Sequence, residues 1–321
     1  MEEKKFAENI YDILIIGGGP AGLTAGLYAS RARKKTVLLE SLSVMGQAQM
    51  TDVIENYPGI ERTGGFELIE NMKKQARAFG LSCEGGTVTN IFSREEKGTV
   101  IWQAETDSGT REALSLIVAS GACPKKLEIP GEEEFSGRGV SYCGTCDAAF
   151  FRDKDVVVVG GGNTAVEEAI FLTKFAKKVM IIHRRDRLRA VKILQEQVFS
   201  NDKIEFVWNS FLEEIIGTDK VEKVRTKNVK TGKDKEILCD GVFIFAGWKP
   251  NTGFLGEVLA LDEKRHIVID DNMGTGRKGL FACGDCCRRP LHQIITACGD
   301  GAIAAQSAQH YVEGLKGTAY E

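Results

Sequence analysis

The chain has 321 residues, 43% of them hydrophobic, and a formal net charge of -3. That length accommodates two ordinary globular domains with separate cores. The near-balanced charge gives no general attraction to nucleic acid or to an anionic membrane. No apolar run approaches a membrane span, and nine cysteines in a chain this long do not read as a disulfide scaffold. The stretch Met1-Glu2-Glu3-Lys4-Lys5 is charged and has no apolar signal core. A reducing, cytoplasmic setting with a catalytic use of thiols is therefore expected.

Tyr11-Asp12-Ile13-Leu14-Ile15-Ile16 predicts a buried strand running into Gly17-Gly18-Gly19-Pro20-Ala21-Gly22 and then a helix through Ala25 and Ala29. Gly17, Gly19 and Gly22 fit G-x-G-x-x-G in the strand–turn–helix setting a dinucleotide requires. Gly17 permits the tight turn, Gly19 lets a pyrophosphate reach the backbone, and Gly22 lets the helix pack on the sheet. The phosphates would meet the helix N-terminus. A second strand, Thr36 to Leu39, ends at Glu40, where an acid can hold a ribose hydroxyl.

Met45-Gly46-Gln47 and Glu55-Asn56-Tyr57-Pro58-Gly59 follow in polar, glycine-rich segments that read as ligand loops or as surface turns. Phe66 to Phe79 has the spacing of an amphipathic helix. Val88 to Ile91, Thr99 to Ala104 and Glu112 to Ala119 alternate as a small antiparallel sheet. Ser120-Gly121 and Cys123-Pro124 break the pattern and mark a domain boundary.

Cys143-Gly144-Thr145-Cys146-Asp147 places two thiols two residues apart, followed at once by an acid. Such a pair can cycle between dithiol and disulfide. Asp147 to Phe151 reads as a short helix, whose positive N-terminal end favours a thiolate. Asp147 can hand over or take up a proton during exchange. A zinc half-site or two buried structural cysteines would show the same spacing, but no second Cys-x-x-Cys supplies the remaining ligands.

Asp155 to Val159 is another buried strand, followed by Gly160-Gly161-Gly162-Asn163-Thr164-Ala165 and a helix, a second dinucleotide turn. The strand after it, Lys178 to Ile182, ends in His183-Arg184-Arg185-Asp186, with Arg189 close behind. Guanidinium forks suit a 2′-phosphate, so NADPH is expected here and FAD at the acidic turn. A flavin between a hydride donor and a cysteine pair completes an electron path. Lys203 to Asn209, Val221 to Asn228 and Lys235 to Leu238 read as a second small sheet. Gly241 to Phe245 is a strand, and Ala246 to Thr252 leads the chain out of this domain. Gly279 to Asp285 is a short strand ending in Gly-Asp, with Asp285 either a cofactor ligand or a turn residue. A final helix opens near Gln293 and runs to His310.

Gly17 to Gly22, Glu55 to Gly59, Cys143 to Asp147, Gly160 to Ala165, His183 to Arg189, Gly247 to Thr252 and Phe281 to Asp285 occur in this order over essentially the whole chain. In this the chain resembles the low-molecular-weight, bacterial and archaeal type of thioredoxin reductase, class II of the pyridine nucleotide-disulfide oxidoreductases. The resemblance implies an α/β fold of two Rossmann-like three-layer dinucleotide-binding domains, each with a parallel sheet and a small antiparallel sheet. FAD would occupy a discontinuous domain, 1–122 and 251–321, and NADPH an inserted one, 123–250, carrying the cysteines. It implies FAD contacts from Gly17, Gly19, Pro20, Ala21, Gly22, Glu40, Gly46, Gln47, Asn56, Asp285, His292, Gln293 and Ile294. NADPH contacts would come from Gly160, Gly162, Asn163, Thr164, His183, Arg184, Arg185 and Arg189. It further implies that Cys146 faces the flavin, that Cys143 attacks thioredoxin with Asp147 as the acid, that the NADPH domain rotates between these states, and that the enzyme is a homodimer.

The chain departs from the usual pattern at Met45 (usually Gly), Ala148 (usually Gly) and His292 (usually Arg). Cys286 and Cys287, beside Asp285, are expected to be bystanders because adjacent cysteines bridge only with strain. Three other readings stay open at this point. One is a relay serving another protein disulfide, such as that of a peroxiredoxin-like or glutaredoxin-like protein. Another is reduced ferredoxin as donor, and the third is a non-enzymatic nucleotide-binding module.

Overall fold

The computed structural model describes residues 6–42, 45–51 and 54–319; the charged stretch Met1 to Lys5 lies outside them. The chain forms two compact units, one made of residues 1–123 and 249–321 and the other of residues 124–248.

The first unit is built on a seven-stranded sheet in the order Ser82–Gly85, Thr36–Glu40, Tyr11–Ile16, Gly109–Val118, Thr99–Thr106, Val88–Glu96, with Leu280–Ala282 also pairing with Gly109–Val118. Five of these strands run parallel, in a register that aligns Glu40 with Gly85, Ile16 with Leu39 and Val118, and Val118 with Ala282. Their carboxyl ends therefore share one edge, where open α/β sheets bind ligands. The three-stranded antiparallel meander is continuous with the parallel part, because Gly109–Val118 belongs to both.

Strand residues alternate between two cores. Ile13, Ile15, Leu38 and Ile117 face the helices, while Leu14, Ile16, Val37, Leu39 and Val118 face Trp102, Leu255 and Ile267. On the helical side, Pro20–Arg31 and Ile294–Lys316 pack against each other. Small residues make this close approach possible: Ala21, Gly22, Ala25 and Ala29 on one helix, Ala297, Gly301, Ala304, Ala305 and Ala308 on the other. A Cβ at Gly301 would collide with the Ala21 carbonyl.

The second unit repeats the scheme with a five-stranded parallel sheet in the order Ile204–Trp208, Lys178–His183, Asp155–Val159, Gly241–Ile244, Val140–Ser141. Val156, Val158, Ile181 and Phe243 pack against the helices Asn163–Leu172 and Lys192–Phe199. Val157, Val159, Ile182, Val242 and Ile244 pack against a three-stranded antiparallel sheet, Ser210–Gly217, Val221–Asn228 and Asp234–Leu238. Residues 204–208, expected in that small sheet, instead extend the parallel one, pairing Val179 with Ile204 through the crossover helix Lys192–Phe199. The place they vacate is taken by Ser210–Gly217.

Candidate functional site

In the first unit the glycine turn caps the parallel edge. Gly17 has φ 116°, and a Cβ there would strike the Ala119 carbonyl. Gly22 is closed against the Gly17 carbonyl, so the helix starts tight on the strand. Gly19 is the opposite case: a Cβ there would meet nothing within 4 Å, which leaves the N-cap of helix Pro20–Arg31 open for an anion. Glu40 lies against Gly18, and Lys73 Nζ holds its Oε1 at 2.6 Å.

Several other residues expected at this site meet around it. Gln293 is the N-cap of helix Ile294–Lys316, and its Oε1 accepts from Asn56 Nδ2 at 2.9 Å. Gln47 Nε2 donates to the Ala122 carbonyl, and the Gly46 N–H donates to Gln49 Oε1. Asp285 sits in a 3-10 turn directly after strand Leu280–Ala282. Burial pushes its carboxyl above the usual carboxylate range; nearby His292 and His266 oppose the shift and Asp300 adds to it. The His292 and His266 rings are 5.8 Å apart, and His292 Nε2 is buried with no hydrogen-bond partner. An acidic strand end, an open helix N-terminus and an unsatisfied buried nitrogen fit a flavin dinucleotide at this edge.

In the second unit Gly160 has φ 149°, and a Cβ there would be 2.6 Å from the Phe245 carbonyl oxygen. His183 is buried beneath this turn, its ring 2.5 Å from where a Gly161 Cβ would stand. Its imidazole is held below the usual histidine range, first by burial and then by the charges of Arg189, Arg184 and Arg185. Arg184, Arg185 and Arg189 are exposed, and the Arg189 N–H donates to the Gly161 carbonyl at 2.7 Å. Asn163 Oδ1 accepts from the Val191 N–H at 2.9 Å, fixing the chain beyond Arg189 to the glycine turn. Gly162, Thr164, Arg189, Phe245 and Trp248 line a cavity of about 170 Å³. A glycine turn, a groove and exposed guanidinium groups fit a phosphorylated nicotinamide nucleotide.

The same unit carries the cysteines. Cys143 and Cys146 form a disulfide with 5.4 Å between their α-carbons. Cys143 is the N-cap of a short helix, Gly144–Asp147, and its sulfur accepts the Cys146 N–H at 3.1 Å. A 3-10 turn, Ala148–Phe151, follows, so the single helix expected over residues 147–151 is instead two short pieces starting three residues earlier. This puts Cys143 just outside the first turn, with its sulfur on a helix donor. Phe151 anchors the segment by packing edge-on against buried Phe243 at 5.1 Å. Glu168 packs against Gly144, and a Cβ there would run into its Oε2. Phe150, four residues beyond Cys146, stands 72% exposed.

Cys83, Cys123, Cys239, Cys283, Cys286, Cys287 and Cys298 are free thiols. Cys286 and Cys287 are fully buried, their sulfurs 3.9 Å apart in a hydrogen-bond contact and not joined in a disulfide. Burial drives the Cys283 thiol upward and pushes Cys239 up to about 12, so neither is a nucleophile at neutral pH. Among the described residues no group of three or more His, Cys, Asp or Glu side chains is placed to hold a metal, and no helix is long and apolar enough to cross a membrane. The sequence gives no sign of Lys73, of the Tyr57 hydroxyl lying 3.8 Å from Cys298 Sγ, or of the Arg289–Asp300 pair.

The sequence pattern of the pyridine nucleotide-disulphide oxidoreductases matches residues 11–301. The thioredoxin reductase of Peptoclostridium acidaminophilum is 46% identical over 313 residues, covering 95% of this chain and 98% of its own. That of Bacillus subtilis is 45% identical over 312 residues, covering 97% and 98%. The crystal structure of the Lactococcus lactis thioredoxin reductase superposes with a TM-score of 0.91 at 45% identity, covering 95% of this chain and 99% of that one. With two dinucleotide turns, a disulfide between them in sequence and relatives that match from end to end, this chain belongs to the pyridine nucleotide-disulphide oxidoreductase family, among the low-molecular-weight thioredoxin reductases.

Proposed function

We propose that the chain is an NADPH-dependent thioredoxin-disulfide reductase, with the Cys143–Cys146 disulfide as its redox centre. The observation that carries this is the disulfide at the start of a helix, in the same unit as a dinucleotide turn flanked by Arg184, Arg185 and Arg189. FAD, when bound, supplies the two-electron relay between NADPH and the disulfide. Residues 1–122 and 251–321 form its domain in this reading, with Gly17, Gly19, Pro20, Ala21 and Gly22 at the pyrophosphate and Glu40 at the ribose. Gly46, Gln47, Asn56, Asp285, His292, Gln293 and Ile294 surround the remainder. Residues 123–250 bind NADPH through Gly160, Gly162, Asn163 and Thr164, with Arg184, Arg185 and Arg189 on the 2′-phosphate and His183 supporting the turn.

Once Cys143 and Cys146 are reduced, the Cys143 thiolate attacks one sulfur of the thioredoxin disulfide and displaces the other as a thiolate. Asp147 delivers the proton that neutralises it. Cys146 then attacks the mixed disulfide, restoring Cys143–Cys146 and releasing thioredoxin as its dithiol. Exposed Phe150, four residues beyond Cys146, offers an apolar contact for the incoming protein. Homodimeric assembly and a cytoplasmic location complete the reading.

The test is anaerobic reduction of the purified holoprotein by NADPH followed by thioredoxin. NADPH should bleach the bound flavin, and thioredoxin should restore its absorbance. A Cys143→Ser variant that still reduced thioredoxin at the wild-type rate would overturn the assignment.

A further inference from the structure

The turn carrying Asp285 is tied to the last helix by contacts that the glycine motifs do not account for. Asp300, on the second turn of helix Ile294–Lys316, is 8% exposed. It takes Arg289 on both oxygens, Nε at 3.0 Å from Oδ2 and Nη2 at 2.7 Å from Oδ1. The Gly284 N–H donates to the same Oδ2 at 3.4 Å. Arg289 Nη2 also lies 2.9 Å from Met273 Sδ, and the Met273 backbone itself stands at φ 63°. One guanidinium thus joins three segments that are separate in sequence.

Two-point pairing of this kind fixes orientation as well as distance. It is a weak source of net stability, because desolvating both charges offsets much of their attraction. What it governs is placement. Gly284 stands at φ 75°, and a Cβ there would be 2.9 Å from the Ala21 Cβ, so the turn sits tightly over the first helix. Asp285 is the next residue, and Gln293 caps the helix that Asp300 belongs to.

We propose that Arg289 and Asp300 are a positioning pair for the FAD subsite, holding the Asp285 carboxyl and the first turn of the last helix at a fixed spacing for the cofactor. This rests on the reading of the first unit as the FAD unit. The pair touches no reacting atom; it acts through Asp285 and the helix N-terminus.

The experiment is a titration of apoprotein with FAD, followed by flavin fluorescence, beside thermal unfolding of the same apoproteins. Wild type is compared with Arg289→Met, Asp300→Asn, the double variant and Arg289→Lys. Losing a charged hydrogen bond from the framework should weaken FAD binding about tenfold in each single variant. The double variant should bind no worse than the weaker single, since both remove one interaction. Arg289→Lys should recover part of the loss, as it keeps the charge and loses the fork. FAD affinity within about twofold of wild type in both single variants, with only the apoprotein melting temperature lowered, overturns the proposal and leaves the pair a brace. If the neutral variants fail to fold, Arg289→Lys and Asp300→Glu carry the test, and unchanged affinity in both overturns it. Wild-type apoprotein that takes up no FAD would instead overturn the reading of the first unit, and the pair's role with it.

Discussion

Lys73 Nζ stands 2.6 Å from Glu40 Oε1, with both side chains largely buried, while the Glu40 side chain lies over Gly18 of the first glycine turn. The lysine holds the carboxylate in place at the end of strand Thr36–Glu40, where the proposed reading has it accept from a ribose hydroxyl. Lys73→Met should therefore weaken FAD binding although Lys73 belongs to no nucleotide motif. A loss of about tenfold, measured by apoprotein titration, is expected, with a larger loss in Glu40→Ala. Unchanged affinity in both would show that Glu40 is not the ribose ligand.

The cysteine pair can be separated from the flavin by choice of electron acceptor. Cys143→Ser and Cys146→Ser should each abolish thioredoxin reduction. Both should leave NADPH-driven reduction of a small dye that takes electrons directly from the flavin. Parallel loss of both activities would point to misfolding, which circular dichroism would reveal.

Arg184 and Arg185 are exposed at the end of strand Lys178–His183. Replacing both with Ala should raise KM for NADPH at least about tenfold and leave KM for NADH nearly constant, because only NADPH offers a 2′-phosphate to the forks. Steady-state kinetics with the two nucleotides settle the matter. An equal loss with both would place the pair outside the phosphate site.

His183 makes the second unit sensitive to acid. Its folded-state pKa is lowered by burial and by three neighbouring arginines, so the folded form binds protons less readily than the unfolded chain. The sign follows: its contribution is fully present above the unfolded value near 6.5 and is lost as pH falls below it. Thermal unfolding between pH 7.5 and pH 5 should show a downward trend that His183→Gln flattens. A wild-type profile that rises toward pH 5 would contradict this account.

Local signals carried most of what could be read before the structure. A glycine turn after a run of apolar residues is a short-range pattern, and Ile16–Gly17 and Val159–Gly160 obey it. The strand Ser210–Gly217 is hard to read from the sequence because its register shifts between Leu212 and Glu214, so its buried apolar residues, Leu212 and Ile215, fall three apart rather than two. The pattern of residues 204–208 points to the wrong sheet because an edge strand with one buried residue looks the same in either setting. Arg289–Asp300 and Lys73–Glu40 join residues 11 and 33 positions apart, and only the tertiary fold brings them together.

The chain leaves and re-enters the first unit through neighbouring points. Asn251 donates its N–H to the Gly121 carbonyl at 2.9 Å and its side-chain amide to the Ser120 carbonyl at 3.0 Å, while Ser120 Oγ donates to the Asn251 carbonyl at 2.7 Å. Exit and return are thus stitched into one seam, and everything between them hangs from it like a cassette. Cutting residues 124–248 out and bridging the gap with a few glycines should leave a host that still folds, since closing so short a loop costs little entropy. The same seam would accept a foreign module whose own termini lie side by side, which makes this architecture a ready host for transplantation.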